Sequence, residues 1–255
     1  MTLISAISYS DEFVLVTGDK RQVKVLEDGT LILTPVQRQK VHKLTDRVLL
    51  AKSGDGYITD IIKDELFKIV HSDYDLKQCA DVLKNITNDY KKDQIYDIED
   101  NASVLLSGFY LDGKTGSVLF NTQSNHISEA ASDQCKFQHT INFPNYIDES
   151  TVPKIYLTQF EPLENDKELD PFKVTARLMS IYKLTSYLMP DKISSDYDCY
   201  ILYRDGNELK FESKYYDVSL LYKTLPPVDQ VKDFYDQGWD ELIKELGLKG
   251  YKSAV

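Results

Sequence analysis

Apolar residues recur along this chain in two rhythms, short runs of strand length and longer stretches at helical spacing. Leu3-Ile4-Ser5-Ala6-Ile7-Ser8 is poor in helix formers and carries β-branched Ile4 and Ile7, which predicts a strand. Ser10-Asp11-Glu12 makes a polar turn. Phe13-Val14-Leu15-Val16-Thr17 then returns as an unbroken apolar run, the pattern of a strand buried on both faces. It ends in Gly18-Asp19-Lys20-Arg21, so strand, turn and strand could place Asp19 beside the start of the chain. Val23-Lys24-Val25 and Leu31-Ile32-Leu33 flank Asp28-Gly29, a hairpin signal, and this hairpin is expected to project from the core. Two more strands are predicted around Lys40-Val41-His42-Lys43-Leu44 and Arg47-Val48-Leu49-Leu50-Ala51. The second leads into Lys52-Ser53-Gly54-Asp55-Gly56, where glycines permit an unusual backbone and an exposed peptide N–H.

The rhythm then changes. Ile58, Ile61, Ile62, Leu66 and Ile69 predict a first helix, and Leu76, Cys79, Ala80, Leu83 and Ile86 a second, capped by Asp73 or Asp75. Residues 93–101 form an acidic connector. A hairpin is expected from Ser103 to Phe120 around Asp112-Gly113-Lys114, whereas residues 121–152 give no clear pattern. Ile155-Tyr156-Leu157-Thr158 reads as a strand, and Pro171 opens a third helix carrying Val174, Leu178, Ile181, Leu184 and Leu188. After the polar corner Asp191-Lys192-Ile193-Ser194-Ser195, strands run from Tyr197 to Arg204 and through Leu209-Lys210-Phe211, turning at Asp205-Gly206-Asn207. This order fits a layered α+β domain over residues 1–225, with helices on both faces of a sheet sandwich. Pro226-Pro227 marks a boundary. Residues 226–255 then form an amphipathic helical extension with Val228, Val231, Tyr235, Trp239, Leu242 and Leu246 on one side, either covering the domain or meeting another subunit.

Composition narrows the function classes. The 255-residue chain is 42% apolar, enough for a large core, and its net charge of -11 argues against a nucleic-acid backbone or an anionic membrane as partner. No transmembrane span or signal peptide is evident, so the cytoplasm is the expected compartment. Cys79, Cys135 and Cys199 lack the pairing of a zinc site or disulfide framework and read as reduced packing residues. His42, His71, His126 and His139 show no ligand spacing, and the glycines at 54 and 56 lack the spacing of a phosphate loop. No metal and no cofactor is therefore expected.

The candidate chemistry sits at the start of the chain. A threonine hydroxyl needs a base, and the α-amine of an N-terminal threonine can serve, since its ordinary pKa is about 7.7–8.0. Thr2 acquires that amine when Met1 is removed. An ammonium such as Lys40 would favour the neutral amine and the developing alkoxide, and a carboxylate such as Asp19 would hold the ammonium in place. Taken alone, these residues also describe an ordinary edge strand with a surface threonine, which is the simpler reading.

In their joint order the segments resemble the proteasome β-subunit family, especially the bacterial proteasome-like peptidases. The matching segments are Thr2-Leu3-Ile4-Ser5-Ala6-Ile7, Val16-Thr17-Gly18-Asp19, Lys40-Val41-His42-Lys43-Leu44, Ser53-Gly54-Asp55-Gly56 and Asp191-Lys192-Ile193-Ser194, and the resemblance spans residues 2–213. It implies the four-layer αββα sandwich of the N-terminal-nucleophile hydrolases. It also implies that Thr2 attacks a peptide carbonyl, that Lys40 and Asp19 tune its amine, and that Gly54 N–H stabilises the oxyanion. Asp191 and Ser194 would support the amine, although a helix-ending corner with local hydrogen bonds explains them equally well. Lys52 would line the pocket for the residue before the scissile bond and favour acidic side chains, or it points into solvent. The partners implied are a peptide or protein substrate and further copies in a homo-oligomer, a ring being one form. Gln159-Phe160-Glu161 stands where the family has Gly-Ser-Gly, and the first hairpin is one residue longer. The alternative function is a non-catalytic relative that uses the fold for assembly or partner binding.

Overall fold

Among the described residues, twelve strands and two complete helices follow one another in the order that hydropathy predicts, with two additions. The computed structural model describes residues 3–25, 31–33, 37–95, 101–124, 126–131, 137–142 and 193–217, together with Pro171, Val174, Thr175, Leu178, Met179, Tyr182 and Ser186. Strands β1 (Ile4–Tyr9) and β2 (Phe13–Asp19) are buried at every position, and Ser10 turns between them at φ 47°. The predicted hairpin β3 (Val23–Val25) and β4 (Leu31–Leu33) forms a separate two-stranded sheet. Strands β5 (Val41–Lys43) and β6 (Val48–Gly54) lead into α1 (Gly56–Ile69) and α2 (Leu76–Lys92). Then come β7 (Ala102–Phe109), β8 (Thr115–Asn121), β9 (His126–Ala131), β10 (Phe137–Asn142), β11 (Asp196–Asp205) and β12 (Glu208–Asp217).

The strands form two five-stranded antiparallel sheets. One runs β10-β1-β2-β11-β12, the other β5-β6-β7-β8-β9. Their facing sides interlock through Ile4, Ala6, Val14 and Val16 on the first and Val41, Leu49, Ala51, Leu105 and Phe109 on the second. Alternation dictates this, because neighbouring residues on a strand point to opposite sides. Leu50, Val104 and Leu106 accordingly face outward, where Ile58, Ile62 and Leu66 of α1 and Leu76, Cys79, Leu83 and Ile86 of α2 cover them. Asp75 caps α2 in a reciprocal capping box with Gln78, and Asp73 does not. Ile69, predicted on the apolar stripe of α1, is 46% exposed because the helix ends there, past the edge of the sheet.

The opposite face of the first sheet is covered by the helical residues Val174, Leu178, Met179 and Tyr182. All four are buried, and the Tyr182 ring stacks on Tyr197 of β11 with centroids 4.2 Å apart. Its hydroxyl meets those of Ser5 and Thr17. The result is the four-layer αββα sandwich. Strands β9 and β10 come from the stretch without a clear pattern, and β12 extends six residues beyond the predicted Phe211. The predicted strand at 155–158, Ile181, Leu184, Leu188 and the helical extension at 226–255 lie outside the described residues. Among the described residues, no helix is long and apolar enough to cross a membrane.

Candidate active site

Asp19 is the last residue of β2, at the end of the sandwich where β1 begins. Register makes it the neighbour of the chain's start, since Ile4 pairs with Gly18 and Asp19 N–H donates to Leu3 O at 3.1 Å. The Asp19 carboxylate returns the contact, Oδ1 accepting from Leu3 N–H at 3.0 Å. Gly18 allows the next approach. A Cβ on it would lie 3.1 Å from Val41 Cγ2 and 3.4 Å from Lys40 Cβ, so a side chain there would press on the segment entering β5.

That segment delivers Lys40, whose Nζ lies 3.0 Å from Asp19 Oδ1 and also donates to Arg21 O. Asp19 is fully buried and Lys40 is 6% exposed, so the pair sits in a water-poor site where neither charge is tolerable alone. Burial pushes the Lys40 ammonium below the ordinary lysine range; Asp19 opposes the shift, while Lys52 and Arg21 add to it. Asp19 Oδ2 accepts from Arg21 N–H at 3.1 Å and Ser194 N–H at 3.4 Å. Three main-chain donors and one ammonium thus converge on a single carboxylate.

The other predicted residues fall in three groups. Thr2 and Asp191 lie outside the described residues. Ser194 reaches the cluster through its N–H; its hydroxyl instead donates to Asp196 Oδ2 at 3.1 Å and accepts from Asp196 N–H at 2.9 Å. The side chain therefore forms the local corner that was the alternative reading. Gly54 closes β6 with φ 86°, and a Cβ there would stand 1.7 Å from Asn101 O, so only glycine fits. Lys52 N–H bonds Lys40 O, which sets Gly54 at the same end of the sandwich as Asp19. Asp55 then turns the chain into α1, its carboxylate accepting from Tyr57 and Ile58 N–H at 2.8 and 3.0 Å.

Lys52 does not point into solvent. It is 5% exposed and its ammonium contacts Asp60 of α1, which Arg38 also holds at 2.9 Å. Burial lowers the Lys52 pKa and Asp60 opposes it; burial alone would raise Asp60, but Lys52, Arg38 and Lys63 outweigh that and leave it lowered. Lys52 is therefore half of an ion pair, and a simple preference for acidic substrate residues does not follow from its charge. Beside it His42 is pushed down to about 4, by burial first and then by Lys52 and Lys63. Its Nε2 has no hydrogen-bond partner among the described residues.

Sequence reasoning missed Arg21, Asp60 and Arg38. Arg21 contributes main-chain atoms, which leave no side-chain signal, and Asp60 meets Lys52 only once α1 folds back over β6. Cys79 and Cys199 are buried free thiols, each raised by burial to about 12, and thus suited to packing; Cys135 is outside the described residues. Among the described residues, no cluster of His, Cys, Asp and Glu could hold a metal ion.

No protein-family model and no curated protein matches the sequence. The fold does match solved structures. Anbu from Hyphomicrobium sp. strain MC1 superposes with a TM-score of 0.59 at 11% identity over 99% of both chains. Its Gly-1 mutant gives 0.61 at 11% identity over 100% of both. The chain thus has the proteasome-like fold, that of the N-terminal-nucleophile hydrolases.

Proposed function

We propose that this protein is a proteasome-like threonine peptidase or amidohydrolase whose nucleophile is Thr2, exposed by removal of Met1. The observation that carries the reading is the Asp19 carboxylate, which binds Leu3 N–H, one peptide bond from Thr2, and the Lys40 ammonium through the same oxygen. Few purely structural needs place a buried lysine beside the start of the chain. A nucleophile with its own amine as base needs that ammonium beside it.

In this reading Thr2 Oγ attacks the carbonyl carbon of the scissile amide as its proton passes to the α-amine. The Lys40 charge, held by Asp19, keeps the amine neutral beforehand and stabilises the negative oxygen as it forms. The tetrahedral oxyanion accepts a hydrogen bond from Gly54 N–H, a type of contact worth about 3–4 kcal/mol in the transition state. Collapse breaks the C–N bond, the leaving amine takes the proton, and an ester on Thr2 remains. Water, deprotonated by the α-amine, hydrolyses that ester. Lys52, paired with Asp60, forms a polar wall for the residue before the scissile bond, and identical copies assemble around the substrate path.

The test is a peptide epoxyketone, which reacts with a hydroxyl and an adjacent free amine together. Peptide mapping is expected to place the adduct on Thr2, with none formed by Thr2→Ala and slowed formation in Lys40→Ala. Absence of an adduct in protein that has lost Met1 would overturn the proposal in favour of a non-catalytic role.

A further inference from the structure

At the end of the sandwich opposite Asp19, three turns border an open cavity of about 400 Å³, lined in part by Lys43, Arg47, Leu111, Arg204 and Phe211. Arg204 N–H donates to Glu12 O just before β2, and Asp19 is the last residue of that strand. At roughly 3.3 Å per residue the two places are about 20 Å apart. The volume falls within the range of small-molecule sites, roughly 300–1,000 Å³.

Its charges are unevenly matched. Of the carboxylates on its wall, Asp46 is held by Lys43 at 2.7 Å, and Asp112 lies 3.7 Å from Lys114. The nearby Asp205 is taken by Lys210. Arg204 is fixed by carbonyls alone, Nε donating to Asp11 O at 3.0 Å and Nη2 to Gly113 O at 3.3 Å, with Phe109 beneath its guanidinium. The Arg47 guanidinium has no hydrogen-bond or ion-pair partner among the described residues. Two arginines without a carboxylate partner among those residues thus share one cavity in a chain of net charge -11. The rest of the wall includes Leu111, 70% exposed, and Phe211, 36% exposed with Lys43 over its ring.

We propose that this cavity is a second binding site, for a small organic oxyanion: a phosphate or carboxylate carried on an apolar body. Guanidinium groups present paired donors that match either head group, one arginine already rigid and the other free to close. Leu111 and Phe211 offer the body an apolar seat. The chain's net charge of -11 argues against a nonspecific atmosphere of anions, so occupancy would come from the arginines themselves. The site is independent of the Thr2 reading and stands or falls separately.

Isothermal titration calorimetry of the full chain with phenyl phosphate, and separately with benzoate, tests it, since the two share a ring and differ in head group. Saturable binding of at least one, at a Kd of about 1 mM or below, is expected. Arg47→Gln and Leu111→Asp should each weaken it at least about threefold, and neither removes a side-chain contact that the described fold uses. Tighter binding of phenyl phosphate assigns the phosphate class, and tighter binding of benzoate the carboxylate class. No saturable binding of either probe, or a smaller weakening in either variant, would overturn the proposal.

Discussion

Two buried lysines stand opposite each other across the β5 and β6 edge, and their aspartates are held in contrasting ways. Asp19 is fully buried and receives main-chain N–H groups from Leu3, Arg21 and Ser194 in addition to Lys40. Asp60 has a side chain 32% exposed and is held by side chains, Lys52, Arg38 and Lys63. Main-chain donors are fixed once the strands register, whereas long side chains keep rotamer freedom. The first pair is therefore a positioned group, suited to chemistry that needs a charge at one point. The second is an adaptable sink for charge on the flank of a helix.

The sharpest way to break this contrast is to delete each carboxylate. Asp19→Ala strands a buried ammonium and three N–H groups, and urea denaturation should show a loss of about 3–5 kcal/mol. Asp60→Ala strands no main-chain N–H, and it removes a side chain that is 32% exposed, which lets water in to the Lys52 ammonium, so the same measurement should show about 1–2 kcal/mol. Equal losses would mean that the two pairs are alike. A finer probe is His42, beside Lys52. Its folded pKa of about 4 lies below the unfolded value near 6.5, so above pH 6.5 both states are neutral there. As pH falls from 6.5 toward 4 the unfolded chain binds a proton that the folded one resists, and stability is lost. Discounted for partial exposure, the effect is on the order of 1–2 kcal/mol, so His42→Phe should gain that much on the parent between pH 7 and 4. Parallel stability curves would show that burial and the Lys52 and Lys63 charges do not lower the His42 pKa.

Much of the first region was legible before any coordinates. The continuous run Phe13 to Thr17 marks a doubly buried strand, and its length alone carries Asp19 to the end of the sandwich where the chain begins. Lys40 is legible as a partner only through the family resemblance, because nothing local distinguishes it from Lys43, which lies on the surface with Asp46. Ser194 illustrates a different limit. Its type and place suggested a hydroxyl contact, but the useful group is its amide, and the Oγ is committed two residues on to Asp196. Strands β9 and β10 were hidden because an outer strand such as β10, mostly polar in Phe137-Gln138-His139-Thr140-Ile141-Asn142, has too few apolar residues to set a period. The Lys52–Asp60 pair was illegible because it joins a strand to a helix that lies over it only in the folded chain.

The account rests on an unblocked amine at the second residue, and intact-mass spectrometry of the untagged protein, with sequencing of its first peptide, reads that group directly. The predicted result is a chain lighter by one methionine that begins with a free Thr2. A chain that keeps Met1, or an acylated Thr2, would contradict it, since the amide nitrogen that replaces the amine cannot accept the hydroxyl's proton.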